Sequence, residues 1–214
     1  MEKMNERLKK PIIKEYNNEK INIKELKDNE KEAIYKTIIM MSYNPSCARI
    51  FKKGINEIIR EEIYNFIYTL YNVNSQEEYN QQHKDFLDSI IYNNTIMELN
   101  GNRISYGQAQ KGLNVFLKVF VDWANLPNDE ISNRIRNYLH CPLDSRVMKS
   151  IKKMEPELYS KYGKLPTTMK NIVTYDEYDR WQQLIGEITG NEKRVLLDVI
   201  WYLEGKKNKE VEKA

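Results

Sequence analysis

Residues Tyr106 to Phe120 read YGQAQKGLNVFLKVF, and the spacing of their apolar positions decides the fold class. Ala109, Leu113, Phe116, Leu117, Phe120 and Ala124 recur at helical intervals, which lines one buried face of an α-helix. One lysine, Lys111, stands in the first turns of that apolar helix. Downstream, His140 to Met148 read HCPLDSRVM. There Asp144 follows Pro142 by two residues and is placed to cap the next helix. Lys111 and Asp144 are either a chemical pair, or a solvated lysine and an ordinary cap worth about 1 kcal/mol.

The same period extends outward in both directions. KELKDNEKEAIYKTIIMM (24–41) is a helix with a charged first half and an apolar end. NPSCARIFKKGINEIIREEIYNFIYTLYNV carries helical spacing through Ile50, Ile55, Ile58, Ile59, Ile63, Phe66, Ile67 and Leu70, with Gly54 or the Arg60 region as a break. Ser75 and Glu78 fit a capping box that opens a third helix, in whose polar run His83 reads as a solvated side chain. In TIMELNGNRIS, Asn100-Gly101 signals either one small β-hairpin near 95–105 or an extended loop with a tight turn. Pro127 is expected to start a further helix, helped by Asn128, Asp129 and Glu130. Pro156 is expected to stop the helix that Asp144 opens. Thr174 and Glu177 form a second capping box, and NEKRVLLDVIWYLEG is a last helix ended by Gly205.

The expectation is an all-α, compact multi-helix domain. An N-terminal arm over 1–23 precedes a single helical domain over 24–205, whose motif region is 105–150, and a frayed tail follows over 206–214. The Met and aromatic positions Met40, Met41, Phe116, Phe120, Trp201 and Tyr202 are expected in the core. At 214 residues the chain is long enough to bury a core without staples. No apolar run approaches the roughly 18 residues of a membrane span. MEKMNERLKKPIIKEY lacks the apolar centre of a secretory signal, so a cytoplasmic setting is the default expectation. Two cysteines, Cys47 and Cys141, give neither a disulfide framework nor a CxxC metal spacing.

Net charge is +3, too small alone to announce a nucleic-acid partner. Its distribution says more. Between Gly101 and Lys153 stand nine basic residues: Arg103, Lys111, Lys118, Arg134, Arg136, Arg146, Lys149, Lys152 and Lys153. Only four acidic ones, Asp122, Asp129, Glu130 and Asp144, oppose them. Nine against four leaves +5 there and therefore −2 elsewhere. Such a concentration suits a phosphate-facing surface, although a scattered solvated face gives the same count.

The chain has no P-loop, GxGxxG, HExxH, GxSxG or Asp-rich calcium loop. His140 and Cys141 are adjacent, which on most backbones points their side chains apart and disfavours a Cys–His nucleophile. The lysine and the aspartate are the better pair. QKGLNVFLKV (Gln110 to Val119) and CPLDSRV (Cys141 to Val147) resemble stretches of the helix-hairpin-helix DNA glycosylase superfamily, most closely its archaeal 8-oxoguanine DNA glycosylase branch. That branch has a Gln-Lys followed by an apolar helix, then a Pro-apolar-Asp-x-Arg-Val run. The 33 residues from Lys111 to Asp144 are similar to its long gap. The resemblance covers residues 105 to 150. The family's hairpin carries two glycines that open backbone N–H groups to a DNA phosphate. Here Gly107 and Gly112 flank the lysine in a different pattern, so no base specificity is carried across.

The resemblance implies a helix-hairpin-helix glycosylase-like fold and a DNA partner with a damaged or modified base. It implies Lys111 as nucleophile, Asp144 as charge stabiliser, and no metal or organic cofactor. Gln110 and Asn114 are candidate base-pocket residues, Asn114 being one turn beyond the lysine. His140 is a further candidate for the base, and Gly107, Arg146 and Lys149 for the DNA backbone. The chemistry has its own logic. Breaking a glycosidic bond builds positive charge on the sugar, which a nearby carboxylate stabilises. An amine attacks the anomeric carbon only when neutral, and the Schiff base then permits strand cleavage by β-elimination. Base flipping would give access, with Trp123, Tyr138, Trp181 or Trp201 to fill or stack. The rival expectation is a non-catalytic all-α module that binds nucleic acid or a protein partner.

Overall fold

In the computed structural model, which describes residues 26–43, 45–52, 54–98, 100–190 and 193–199, most helices form where period and caps place them, although the expected last helix is a 3-10 helix over its described part, Arg194–Val199. α1 (Asp28–Ser42), α2 (Pro45–Ala48) and α3 (Ile55–Thr69) come first. Gly54 divides the last two in the left-handed region at φ 89°, a conformation that costs glycine little. α4 (Gln76–Tyr92) starts at Ser75, whose hydroxyl accepts from the Glu78 N–H at 3.1 Å. The return half of that box differs from expectation, because Glu78 accepts from Asn74 N–H and not from Ser75.

α5 (Tyr106–Leu117) continues into a widened π turn over Lys118–Trp123. α6 (Asp129–Ile135), α7 (Ser145–Met154), α8 (Pro156–Lys161) and α9 (Tyr175–Thr189) follow. Both halves of the Thr174–Glu177 capping box form at the start of α9. The protein is all-α. The expected arm over 1–23, the tail over 206–214, Gly205, Trp201 and Tyr202 lie outside the described residues.

α5 is the centre of the molecule. Ten of its twelve residues are buried, as in a helix enclosed on every side. It packs against α1, α2, α4, α9 and the turn Met169–Asn171. Gly107 permits the closest of these approaches. A Cβ there would stand 2.3 Å from the Met169 carbonyl oxygen, while its own N–H donates to Ile172 O at 3.2 Å. At the opposite side, a Cβ on Gly112 would meet the Tyr43 ring at 2.7 Å. Phe116 and Phe120 are wholly buried, and Tyr35 packs edge-on against Phe120 at 4.9 Å.

Near 95–105, where a small hairpin and a tight turn were both open, the described residues hold a tight turn closed by one antiparallel bridge from Met97 to Arg103, with Gly101 at φ 83°. Glu98 ties that turn to α5 by accepting from Gln108 Nε2 at 2.6 Å. Other expectations are corrected. Met40 and Met41 are 65% and 76% exposed, because the inward stripe of α1 is Tyr35, Ile39 and Ser42 and both methionines fall off it. Ala124 is exposed, since the widened π turn shifts the buried register of Phe120 and Val121. α6 begins at Asp129 under an Asn128 cap, two residues after Pro127. Pro156 ends α7 only by starting α8 at its first position, where its missing N–H costs nothing.

The largest correction concerns His83. It is fully buried, on the inward stripe of α4 with Tyr79, Phe86, Leu87 and Ile90. The polar neighbours Gln81, Gln82 and Lys84 hide that stripe in the sequence.

Candidate functional site

Lys111 is one of only two α5 residues that escape full burial. Its Nζ reaches Asp144 Oδ2 at 3.4 Å, with the two side chains 15% and 27% exposed. The fold thus joins the two sequence motifs at a partly exposed edge. The contact is longer than a tight charge-assisted hydrogen bond, so the amine is neighboured and not locked.

Asp144 divides its carboxylate. Oδ1 accepts from the Arg146 and Val147 N–H groups at 2.9 and 3.0 Å, which is the helix cap. Oδ2 faces Lys111. The helix cap and the contact with Lys111 therefore coexist, one on each oxygen.

Gln110 explains why the halves meet. Its Nε2 donates to Leu143 O at 2.8 Å, and its Oε1 accepts from Leu143 N–H at 3.2 Å. The remaining capacity goes to Gly107 O at 3.0 Å and to Asn114 Nδ2 at 2.8 Å. Two donors and two lone pairs are thereby all satisfied in a site without solvent. A second amide repeats the motif: Gln182 on α9 brackets Cys141, accepting from its N–H and donating to its carbonyl, both at 2.9 Å. Residues 141–143 thus hang between two glutamine brackets, which sequence reasoning missed because neither has a local signature.

Beneath the pair lies a sealed polar network. Asn114 Nδ2 also donates to Tyr178 Oη at 3.1 Å, and Asn114 Oδ1 lies 2.7 Å from His83 Nε2. Tyr178 Oη is 2.8 Å from His140 Nδ1, and His140 Nε2 is 3.0 Å from Asn80 Oδ1. An amide oxygen only accepts, so both histidines carry their proton on Nε2, and Tyr178 donates to His140. Burial pushes His83 down to about 4. It also holds His140 well below the ordinary range, with the neighbouring His83 and then Arg194 adding to the effect. Both rings are neutral near pH 7.

The expected site residues therefore separate. Lys111 and Asp144 come together at the surface. Gln110, Asn114 and His140 are at most 1% exposed, with their polar atoms committed to the protein. The Gly107 N–H is occupied by Ile172 O and faces protein where a phosphate contact was expected. Arg146 and Lys149 are exposed on α7 beside Lys152 and Lys153. The basic segment is divided too: Arg134 donates to Tyr71 O, Arg136 pairs with Asp122, and Lys118 is buried against Trp123.

Trp123 is 62% exposed, whereas Trp181 is wholly buried and donates to Pro166 O. Tyr138 is half-buried, and Trp201 lies outside the described residues. Among those residues, no cluster of three or more His, Cys, Asp or Glu could hold a metal. No described helix is long and apolar enough to cross a membrane.

Compared with known proteins, the chain matches no family model, no curated protein and no solved structure.

Proposed function

We propose that this chain is a DNA glycosylase that removes a damaged or modified base, with Lys111 as nucleophile, Asp144 as its partner and strand cleavage through a lysine Schiff base. The observation that carries this reading is the 3.4 Å approach of Lys111 Nζ to Asp144 Oδ2 at the accessible edge of an otherwise buried helix. The exposed cations of α7, next to Asp144, supply a surface for the DNA backbone.

The reaction runs on these two groups. The proton that Lys111 gives up passes through Asp144 Oδ2 to the departing base, so the carboxylate is again anionic. Nζ bonds to the C1′ of a flipped-out nucleotide as the C1′–base bond breaks, its electrons leaving with the base. Asp144 faces the positive charge that builds on the sugar. Opening of the sugar ring moves an Nζ proton to O4′ and yields the Schiff base. Water takes a C2′ proton, a C2′–C3′ double bond forms and the C3′–O bond breaks with its electrons leaving on the 3′ phosphate; a second water then hydrolyses the imine and releases the lysine.

Borohydride trapping tests this. DNA carrying an abasic site or a modified base should give a covalent adduct that Lys111→Gln abolishes. An adduct that persists in Lys111→Gln moves the nucleophile elsewhere. DNA binding with no base release and no adduct favours the second reading, a non-catalytic nucleic-acid-binding module. That reading is favoured by the same exposed cations and by the commitment of Gln110, Asn114 and His140 to internal bonds.

A further inference from the structure

We infer that Gln110 is a positioning residue for the Lys111–Asp144 pair, acting through the backbone of Leu143 and touching no substrate. The argument is one of adjacency. Gln110 precedes Lys111 on α5, and Leu143 precedes Asp144 at the start of α7. The amide of the first brackets the peptide groups of the third, donating to Leu143 O at 2.8 Å and accepting from Leu143 N–H at 3.2 Å. One residue further along each chain stand the ammonium and the carboxylate, 3.4 Å apart. The two strands of backbone are thus registered by one side chain, and the chemical groups inherit that register.

Gln110 has no freedom to do otherwise. Its four hydrogen-bonding positions are filled by Leu143 N and O, Gly107 O and Asn114 Nδ2, and it is fully buried. Turning the amide toward a base would leave both peptide groups of Leu143 unpaired in the interior, which is unfavourable. Gln182 supplies the internal comparison. It brackets Cys141 with the same two bonds and is equally buried, but the residue that follows it carries no part of the pair. A loss of packing and hydrogen bonds should look alike at the two glutamines, whereas a loss of register should appear at Gln110 alone.

This inference rests on the glycosylase reading for its catalytic meaning, yet its first test needs no activity. The coupling between Lys111 and Asp144 is read by a double-mutant cycle in denaturant, using Lys111→Met and Asp144→Asn. The cycle is repeated in Gln110→Asn, whose shorter side chain withdraws the bracket, and in Gln182→Asn. The expected result is a coupling present in the native and Gln182→Asn backgrounds and absent in Gln110→Asn. Where Gln110→Asn does not fold, Gln110→Glu keeps the length and the acceptor but replaces the donor to Leu143 O.

The second arm measures single-turnover trapping on abasic DNA. Gln110→Asn should slow trapping at least tenfold, with the DNA dissociation constant held within twofold. In an Asp144→Asn background it should add nothing, because its whole effect passes through that residue. A coupling that survives in Gln110→Asn, or slowing equal in the two glutamine variants, overturns the proposal. A coupling lost in Gln110→Asn together with a native protein that never traps DNA leaves the positioning role standing and ends the glycosylase reading.

Discussion

The rings of His83 and His140 stand 4.6 Å apart, one from α4 and one from the loop before α7, with no more than 1% of either exposed. They contact through Asn114 and Tyr178, so the loop that delivers Asp144 is anchored to three helices by neutral groups. Protonating either ring would place a charge in a sealed site, and at His140 it would also turn the Nδ1 that accepts from Tyr178 into a donor.

A pH dependence of stability follows, with a definite sign. His83 is lowered to about 4 and His140 is lowered well below 6.5, so the unfolded chain binds protons first. Stability is full above pH 6.5 and falls as pH drops through 6.5 towards the folded values. Each histidine contributes a slope of up to about 1.4 kcal/mol per pH unit. Urea denaturation between pH 7.5 and 5, above the carboxylate range, should show this decline. His83→Gln, which retains a donor for Asn114, should roughly halve the slope; a flat profile would remove the buried-neutral assignment.

Asp144 has separable duties on its two oxygens. Asparagine retains the oxygen that caps α7 and loses the charge that faces Lys111. Asp144→Asn should therefore change stability by only a few tenths of a kcal/mol, whereas Asp144→Ala should cost about 1 kcal/mol. Trapping on abasic DNA should fall by about 10²–10³ in both. Equal losses of stability in the two variants would show that the cap does not depend on the retained oxygen.

Gly107 separates packing from DNA contact. An alanine Cβ would lie 2.3 Å from a backbone oxygen, which cannot move aside as a flexible side chain would. Gly107→Ala should cost about 1–3 kcal/mol by overpacking, measured by thermal or chemical denaturation. Its DNA affinity, measured below the transition, should remain native. Weaker DNA binding at undiminished stability would restore the phosphate role that the resemblance implied.

The parts legible in the sequence were those governed by local rules. The caps at Ser75, Asp144 and Thr174, the break at Gly54 and the apolar face of α5 each follow from spacing or from a single residue's chemistry. The approach of Lys111 to Asp144 was expected from the resemblance of two short motifs to a known family, not from local rules. What escaped were arrangements between elements. The burial of His83 depends on which side of α4 meets α5 and α9. The brackets made by Gln110 and Gln182 pair a helix side chain with backbone 33 and 41 residues away, a relation without periodicity. Met40 and Met41 failed for the converse reason: apolar character marks a candidate for the core, but the stripe decides.

The exposed cations of α7 give the last prediction, which isolates binding from chemistry. Arg146 and Lys149 are one turn apart and open to solvent, and neither packs into the core, so replacing them with alanine should leave stability within about 0.5 kcal/mol. If they neutralise phosphates, each replacement releases one fewer counterion on binding. The slope of log binding constant against log salt should then become shallower by about 0.9 for duplex DNA per residue, with similar losses for different sequences. Arg134 is the control on the same segment, because its guanidinium already donates to Tyr71 O and its replacement should leave the slope unchanged. Unaltered slopes for Arg146→Ala and Lys149→Ala would detach this face from DNA and leave the Lys111–Asp144 pair without its proposed substrate surface.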